Sequence, residues 1–210
     1  MQDKIIKIVE LLEKNYNLTF YSREKPFKVL ISVILSQRTR DENTLIASKK
    51  LFSKFGTAKK LVNADISEVK KLIKKSGFYN IKARRIKEVS KILLNKHDGK
   101  VPNDLNKLLK LPGVGRKTAN CVLVYGFNIP AIPADTHVHR ISNRLGIVKT
   151  KTPEQTEYEL MKKVPKKYWI NLNELFVKHG QTICSSIKPK CDKCVISSLC
   201  DFSKNLPKTI

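Results

Sequence analysis

The 210-residue sequence is short of negative charge. Its 18 Asp and Glu stand against 42 Lys and Arg, a formal net charge of +24. An excess of this size points to a polyanionic partner, either nucleic acid or an anionic membrane surface. Long apolar runs are also missing. The most apolar stretch, Val29 to Leu35, lies between Lys28 and Gln37 and falls far short of the ~20 residues that span a bilayer. No membrane partner is therefore expected. The first residues hold no apolar leader core and carry Glu10 and Glu13, so neither an export signal nor a transit peptide is expected, and the protein is read as cytoplasmic. Internal repeats, low-complexity tracts and strand-type alternation are absent. Cysteine is scarce outside one segment: of five, four lie between 184 and 200. That crowding argues for metal ligation and against a disulfide framework. What remains is a globular balance, 41% hydrophobic and 29% charged, with enough Leu, Ile and Val for a sizeable core.

Helical periodicity recurs along the chain and predicts an all-α fold. The expected helices are 3–15, 27–39, 41–54, 57–63, 66–75, 81–97, 104–110, 116–126, 136–145, 154–163 and 171–179. Ile5, Ile8, Val9 and Leu12 share one face of the first. Asp65 and Thr152, the latter before Pro153, are expected N-caps. Gly56, Gly77, Gly99, Gly146 and Gly180 are expected helix stops. The segment Phe127 to Pro133, with two prolines, reads as a crossing between two helical units. Charge is concentrated at 70–100, where eleven Lys and Arg face only Glu88 and Asp98, a net +9. Phosphate contact is expected there.

Three constellations carry chemistry. The first is Leu111-Pro-Gly113-Val114-Gly115-Arg116-Lys117-Thr-Ala119, set between apolar helices. Its glycines are expected at positive φ in a tight hairpin. The amides that open the second helix suit a single DNA backbone phosphate. Lys117 stands in the first turn, where the helix dipole disfavours a cation. A neutral amine there could form a Schiff base; a lysine that only binds phosphate is the other reading. The second is Asp135-Thr136-His137-Val138-His139, in which Asp135 is an N-cap, a catalytic carboxylate, or both. His137 and His139 do not share a helix face and are read as structural. The third is Cys184-x6-Cys191-x2-Cys194-x5-Cys200. Four thiolates in one irregular loop suit a [4Fe–4S] cluster, with zinc as the alternative. The metal is expected to be structural, and Lys188, Lys190 and Lys193 make the loop basic. Cys121 is read as a buried small hydrophobe.

These three motifs, in this order and spacing, resemble the endonuclease III family of bifunctional DNA glycosylase/AP lyases in the helix-hairpin-helix superfamily. The resemblance runs from Phe27 to Cys200. It implies two helical domains flanking a DNA-binding cleft. One is a six-helix barrel at 20–130 with the helix-hairpin-helix at about 104–126. The other is a discontinuous iron–sulfur domain from 1–19 and 131–210, with Cys184, Cys191, Cys194 and Cys200 as ligands. It implies a monomer acting on double-stranded DNA that contains damaged bases or abasic sites, and hence a nucleoid association. Oxidised or ring-saturated pyrimidines are the implied substrates. Lys117 would be the nucleophile, forming an imine with C1′ of a flipped nucleotide before β-elimination cleaves the strand 3′ to the lesion, with Asp135 the assisting carboxylate. By the same resemblance Arg38 lies where the family has a Gln that fills the hole left by the flipped base. Asp41 matches an acidic residue near the lesion pocket, and Phe78, followed by Tyr79 and Asn80, matches the wedge loop. Gly113, Val114, Gly115 and Arg116 would meet phosphate. Adenine- and thymine-mismatch glycosylases share the scaffold but lack the nucleophilic lysine. Arg38 resembles the thymine-mismatch enzymes. A non-catalytic DNA-binding module with a structural metal would need neither Lys117 nor Asp135.

Overall fold

The computed structural model describes residues 2–18 and 24–206, and among these every regular element is helical. The chain divides into two compact units, Tyr21–Ile129 and Met1–Phe20 with Pro130–Ile210. α1 (Gln2–Asn15) precedes the seven helices of the contiguous unit. These are α2 (Pro26–Ser36), α3 (Asp41–Lys54), α4 (Ala58–Asn63), α5 (Ile66–Leu72), α6 (Tyr79–His97), α7 (Leu105–Leu109) and α8 (Arg116–Phe127). α9 (Thr136–Arg144), α10 (Pro153–Lys163), α11 (Trp169–Thr182) and the short α12 (Asp201–Lys204) follow. Among the described residues no helix is long and apolar enough to cross a membrane.

In the contiguous unit α2 is the central helix. It starts on Pro26, and Val29 to Leu35 are all buried; a helix apolar on every side must be enclosed. It packs against α3, α6 and α8. The contact with α8 is close enough that a Cβ on Gly126 would stand 3.2 Å from Pro26 Cα. α4 and α5 close over α6. Asp65 caps α5 through the amides of Ser67 and Glu68. The discontinuous unit has its own core: Ile5, Ile8, Val9 and Leu12 of α1 join Val138, Ile141, Leu160, Leu172, Leu175 and Phe176. Thr152 caps α10 by accepting from the Gln155 amide.

Three expectations about helix ends need correction. The helix expected to run to 39 stops at Ser36, because Arg38 takes a left-handed φ of 51° and the carbonyls of Leu35 and Gln37 are bound by a lysine from α6. The helix expected to run to 75 stops at Leu72. Gly180 is no stop: it lies inside α11, where a Cβ would meet His137 Nδ1 at 2.3 Å. Gly99 and Gly146 do follow helices, at φ 73° and 71°.

Candidate active site and nucleic-acid interface

The hairpin at 111–116 is tight. Val114 N donates to Leu111 O at 3.1 Å, and Gly113 sits at φ 74° with the Arg85 side chain filling the space beside its Cα. Gly115 differs from its expected role. Its φ and ψ of −87° and 178° are extended, and it forms the N-cap of α8 with no side-chain bond. A Cβ added there would meet nothing within 4 Å, so the protein's own packing does not demand glycine. Arg116 and Lys117 are the first two residues of α8, both half-buried, in the turn whose amides point out along the axis. Cys121, one turn on, is buried.

Beside the hairpin stand two loops. Arg38 is exposed after α2, and Phe78, at the start of α6, is 59% exposed. The structure brings them together: the Arg38 guanidinium lies 5.9 Å from the centre of the Phe78 ring, a cation–π distance. Asp41 opens α3, while Tyr79 and Asn80 open α6. Gln37 links this region to the hairpin. Its Nε2 donates to Gly113 O at 2.8 Å, and Arg85 donates to its Oε1 at 3.3 Å.

The basic stretch at 70–100 is less of a phosphate face than its composition suggests. Lys82 is buried and bonded to four oxygens, Lys87 donates to the carbonyls of Val62 and Ala64, and Arg85 packs on Gly113. Burial pushes the Lys82 pKa down to about 8, and the nearby Arg85 charge adds to the shift. The four acceptors pull the other way by holding the ammonium. Sequence reasoning missed Lys82. The available signal was its place on the apolar stripe of α6, with Ala83, Ile86, Val89 and Leu93.

In the discontinuous unit Asp135 is the N-cap of α9. Its Oδ1 accepts from the amides of His137 and Val138, both at 2.9 Å, and Oδ2 takes no part in the cap. His139 Nδ1 bonds Thr156 and His137 Nδ1 bonds Arg140, which agrees with structural roles for both histidines. Cys184, Cys191, Cys194 and Cys200 line a single pocket walled by Ile141, Leu145, Ile183, Ile196 and Phe202. Among the described residues no three His, Cys, Asp or Glu side chains gather closely enough to hold one metal ion. Burial, followed by the charges of Cys184 and Cys200, pushes the Cys191 thiol up. Cys194 is raised by burial and by the other three cysteines, while the Ile196 amide pulls it down. Arg144 donates to Cys184 Sγ at 3.3 Å and to Ser185 O at 2.6 Å. Burial lowers the His179 pKa to about 4, so its ring is neutral. Its Nδ1 pairs with Tyr16 Oη at 3.0 Å, and its Nε2 lies 3.6 Å from Cys194 Sγ. Lys188, Lys190 and Lys193 are exposed around this loop.

The sequence profile of the HhH-GPD superfamily base excision DNA repair proteins matches residues 31–166. The chain belongs to this superfamily. Among its members, the endonuclease III of Thermotoga maritima is 50% identical, across 96% of this chain and 92% of that protein. The endonuclease III of Escherichia coli K12 is 37% identical, across 97% of each. The fold agrees: a trapped endonuclease III–DNA covalent intermediate superposes with a TM-score of 0.88 and 34% identity, covering 97% of both chains. As a member of the HhH-GPD superfamily, the chain is a DNA glycosylase of base excision repair.

Proposed function

We propose that the chain acts as a monomer on damaged or abasic double-stranded DNA, as a combined glycosylase and AP lyase, with Lys117 the nucleophile and Asp135 the assisting carboxylate. Oxidised or ring-saturated pyrimidines are the substrate class, and the site of action is the nucleoid in the cytoplasm. The observation that carries the reading is the hairpin. Gly115 has open space where a side chain would fit, directly before a helix start bearing Arg116 and Lys117. Bare backbone at the positive end of a helix suits a phosphate oxygen, and a phosphate held there delivers its sugar to the neighbouring amine. A trapped covalent intermediate in the similar solved structure supports an enzyme-borne nucleophile.

In this reading the damaged nucleotide leaves the stack, since C1′ is unreachable inside the duplex. Lys117 Nζ, unprotonated, bonds to C1′, and the base departs with the electron pair of the glycosidic bond. The sugar ring opens as the nitrogen lone pair forms the imine, which makes the C2′ proton acidic. Loss of that proton expels the 3′ phosphate by β-elimination, and water then hydrolyses the imine to free Lys117. Asp135 uses Oδ2, the oxygen outside its cap, to relay protons and to stabilise positive charge on the sugar. Arg38, Asp41, Phe78, Tyr79 and Asn80 contact the duplex around the lesion, Gly113 to Arg116 hold phosphate, and Lys188, Lys190 and Lys193 add a second basic contact.

Cys184, Cys191, Cys194 and Cys200 would hold a [4Fe–4S] cluster. Their fit rests on four thiols facing one apolar pocket, where burial and mutual repulsion call for a cationic core. Such a cluster supplies structure, tying the C-terminal loop together. The deciding experiment is borohydride trapping on an abasic duplex. The native chain forms a covalent adduct and Lys117→Gln forms none; an equal adduct from the variant would overturn the assignment.

A further inference from the structure

The buried stripe of α6 carries one charge, Lys82, only 3% exposed. An ammonium without partners there would be prohibitively costly. This one has four: Leu35 O at 2.6 Å, Gln37 O at 2.5 Å, Thr39 Oγ1 at 2.8 Å and Ser76 Oγ at 2.9 Å. Three belong to the end of α2 and the loop after it, and one to the loop before α6. The same two loops are joined again by Gly77 N donating to Thr39 Oγ1 at 3.0 Å and Ser76 Oγ donating to Leu35 O at 2.9 Å. They lie so close that a Cβ on Gly77 would stand 2.9 Å from Arg38 O.

These loops present Arg38 and Phe78, at φ 51° and 58°. Side chains larger than glycine rarely hold that conformation, and they keep it only where the surroundings over-determine the backbone. Lys82 supplies that constraint from beneath. The network then reaches the hairpin through Gln37, whose side chain donates to Gly113 O and accepts from Arg85.

We propose that Lys82 is a positioning residue for base extrusion: its ammonium latches the Gln37–Thr39 and Ser76–Phe78 loops into one rigid body, joined through Gln37 to the hairpin that precedes Lys117. The inference rests on the lyase reading above. Arg38 and Phe78 must push into a stacked duplex, and loops that first had to be ordered would spend binding energy on themselves. In single-stranded DNA nothing has to be pushed apart, so the latch has no task there.

The test compares borohydride trapping rates on one abasic strand, alone and in duplex. Lys82→Met keeps length and removes the charge. It should slow duplex trapping by about tenfold or more, the scale of bonds to a charged group, and single-strand trapping by less than about twofold. Thr39→Val keeps its shape and loses one acceptor; it should show the same pattern at about threefold. In parallel, 2-aminopurine placed opposite the abasic site should brighten on binding the native chain and stay dim with Lys82→Met at saturating protein. Equal slowing on both DNA forms would mark a merely structural residue and overturn the proposal, as would unchanged duplex trapping. If Lys82→Met does not fold, Thr39→Val decides by the same comparison. If the native chain traps neither form, the lyase reading fails, while the aminopurine signal still tests the latch.

Discussion

Gly113 and Gly115 flank Val114 in the hairpin, yet they answer to different demands. Gly113 has a left-handed φ of 74° and the Arg85 side chain pressed against it. Gly115 has ordinary extended angles and empty space around it. Gly113→Ala should therefore cost roughly 1–3 kcal/mol of stability, readable in a urea melt. Gly115→Ala should leave the melt within about 0.5 kcal/mol of native and weaken duplex binding instead, because the new methyl occupies the phosphate's approach. A Gly115 variant that melts early but binds normally would contradict this. The place of Lys117 in the first turn of α8 was legible in the sequence, because Pro-Gly-Val-Gly marks the turn just before it. Lys82 was not, because it sits among ten other cations between 70 and 100. What sets it apart is burial on the α6 stripe, and burial depends on which helices pack over that face.

At the scale of the element, α9 is capped by the residue proposed as the assisting carboxylate. Asp135 closes the helix with Oδ1, and the proposed chemistry uses Oδ2. Asparagine keeps a carbonyl oxygen for the cap and loses the charge, whereas alanine loses both. Asp135→Asn should stay within a few tenths of a kcal/mol of native stability, while Asp135→Ala should lose about 1 kcal/mol. Glycosylase turnover should fall by about a hundredfold or more in both. Equal stability loss in the two variants would dissociate the carboxylate from the cap. Most helix starts could be read from caps such as Asp65 and Thr152, which act locally. Helix ends were harder. α2 stops three residues early because a lysine from α6, some 45 residues on, takes its last carbonyls. Gly180 continues α11 because His137 of α9 occupies the space above it. Both reasons are tertiary and leave no trace in the local sequence.

At the scale of the molecule, the +24 charge sets how duplex binding responds to salt. Lys190→Ala should flatten the log–log salt dependence of duplex binding by about 0.9 if one phosphate contact is lost; an unchanged slope would remove Lys190 from the interface. Lys82 makes stability depend on pH in an uncommon direction. Its folded pKa of about 8 lies below the ordinary value of 10.5, so between these limits the unfolded chain binds the extra proton. The native chain should gain stability relative to Lys82→Met as pH rises from about 8 towards 10.5, with the difference level below about 8. Paired urea melts across that range would show it, and a difference falling with pH would reverse the sign assigned to Lys82.

The two units also differ in when they can be completed. Tyr21–Ile129 is one uninterrupted stretch, whereas the other unit is split across it. On a ribosome, α1 emerges ahead of the contiguous unit and then waits for the later helices of its own unit that cover Ile5, Ile8, Val9 and Leu12, among them α11 with Phe176. At 5–20 residues per second that wait is roughly 8–30 s. During it an apolar helix face has no native partner, while the contiguous unit can already assemble. Vectorial synthesis thus leaves the apolar face of α1 uncovered until α11 has been made.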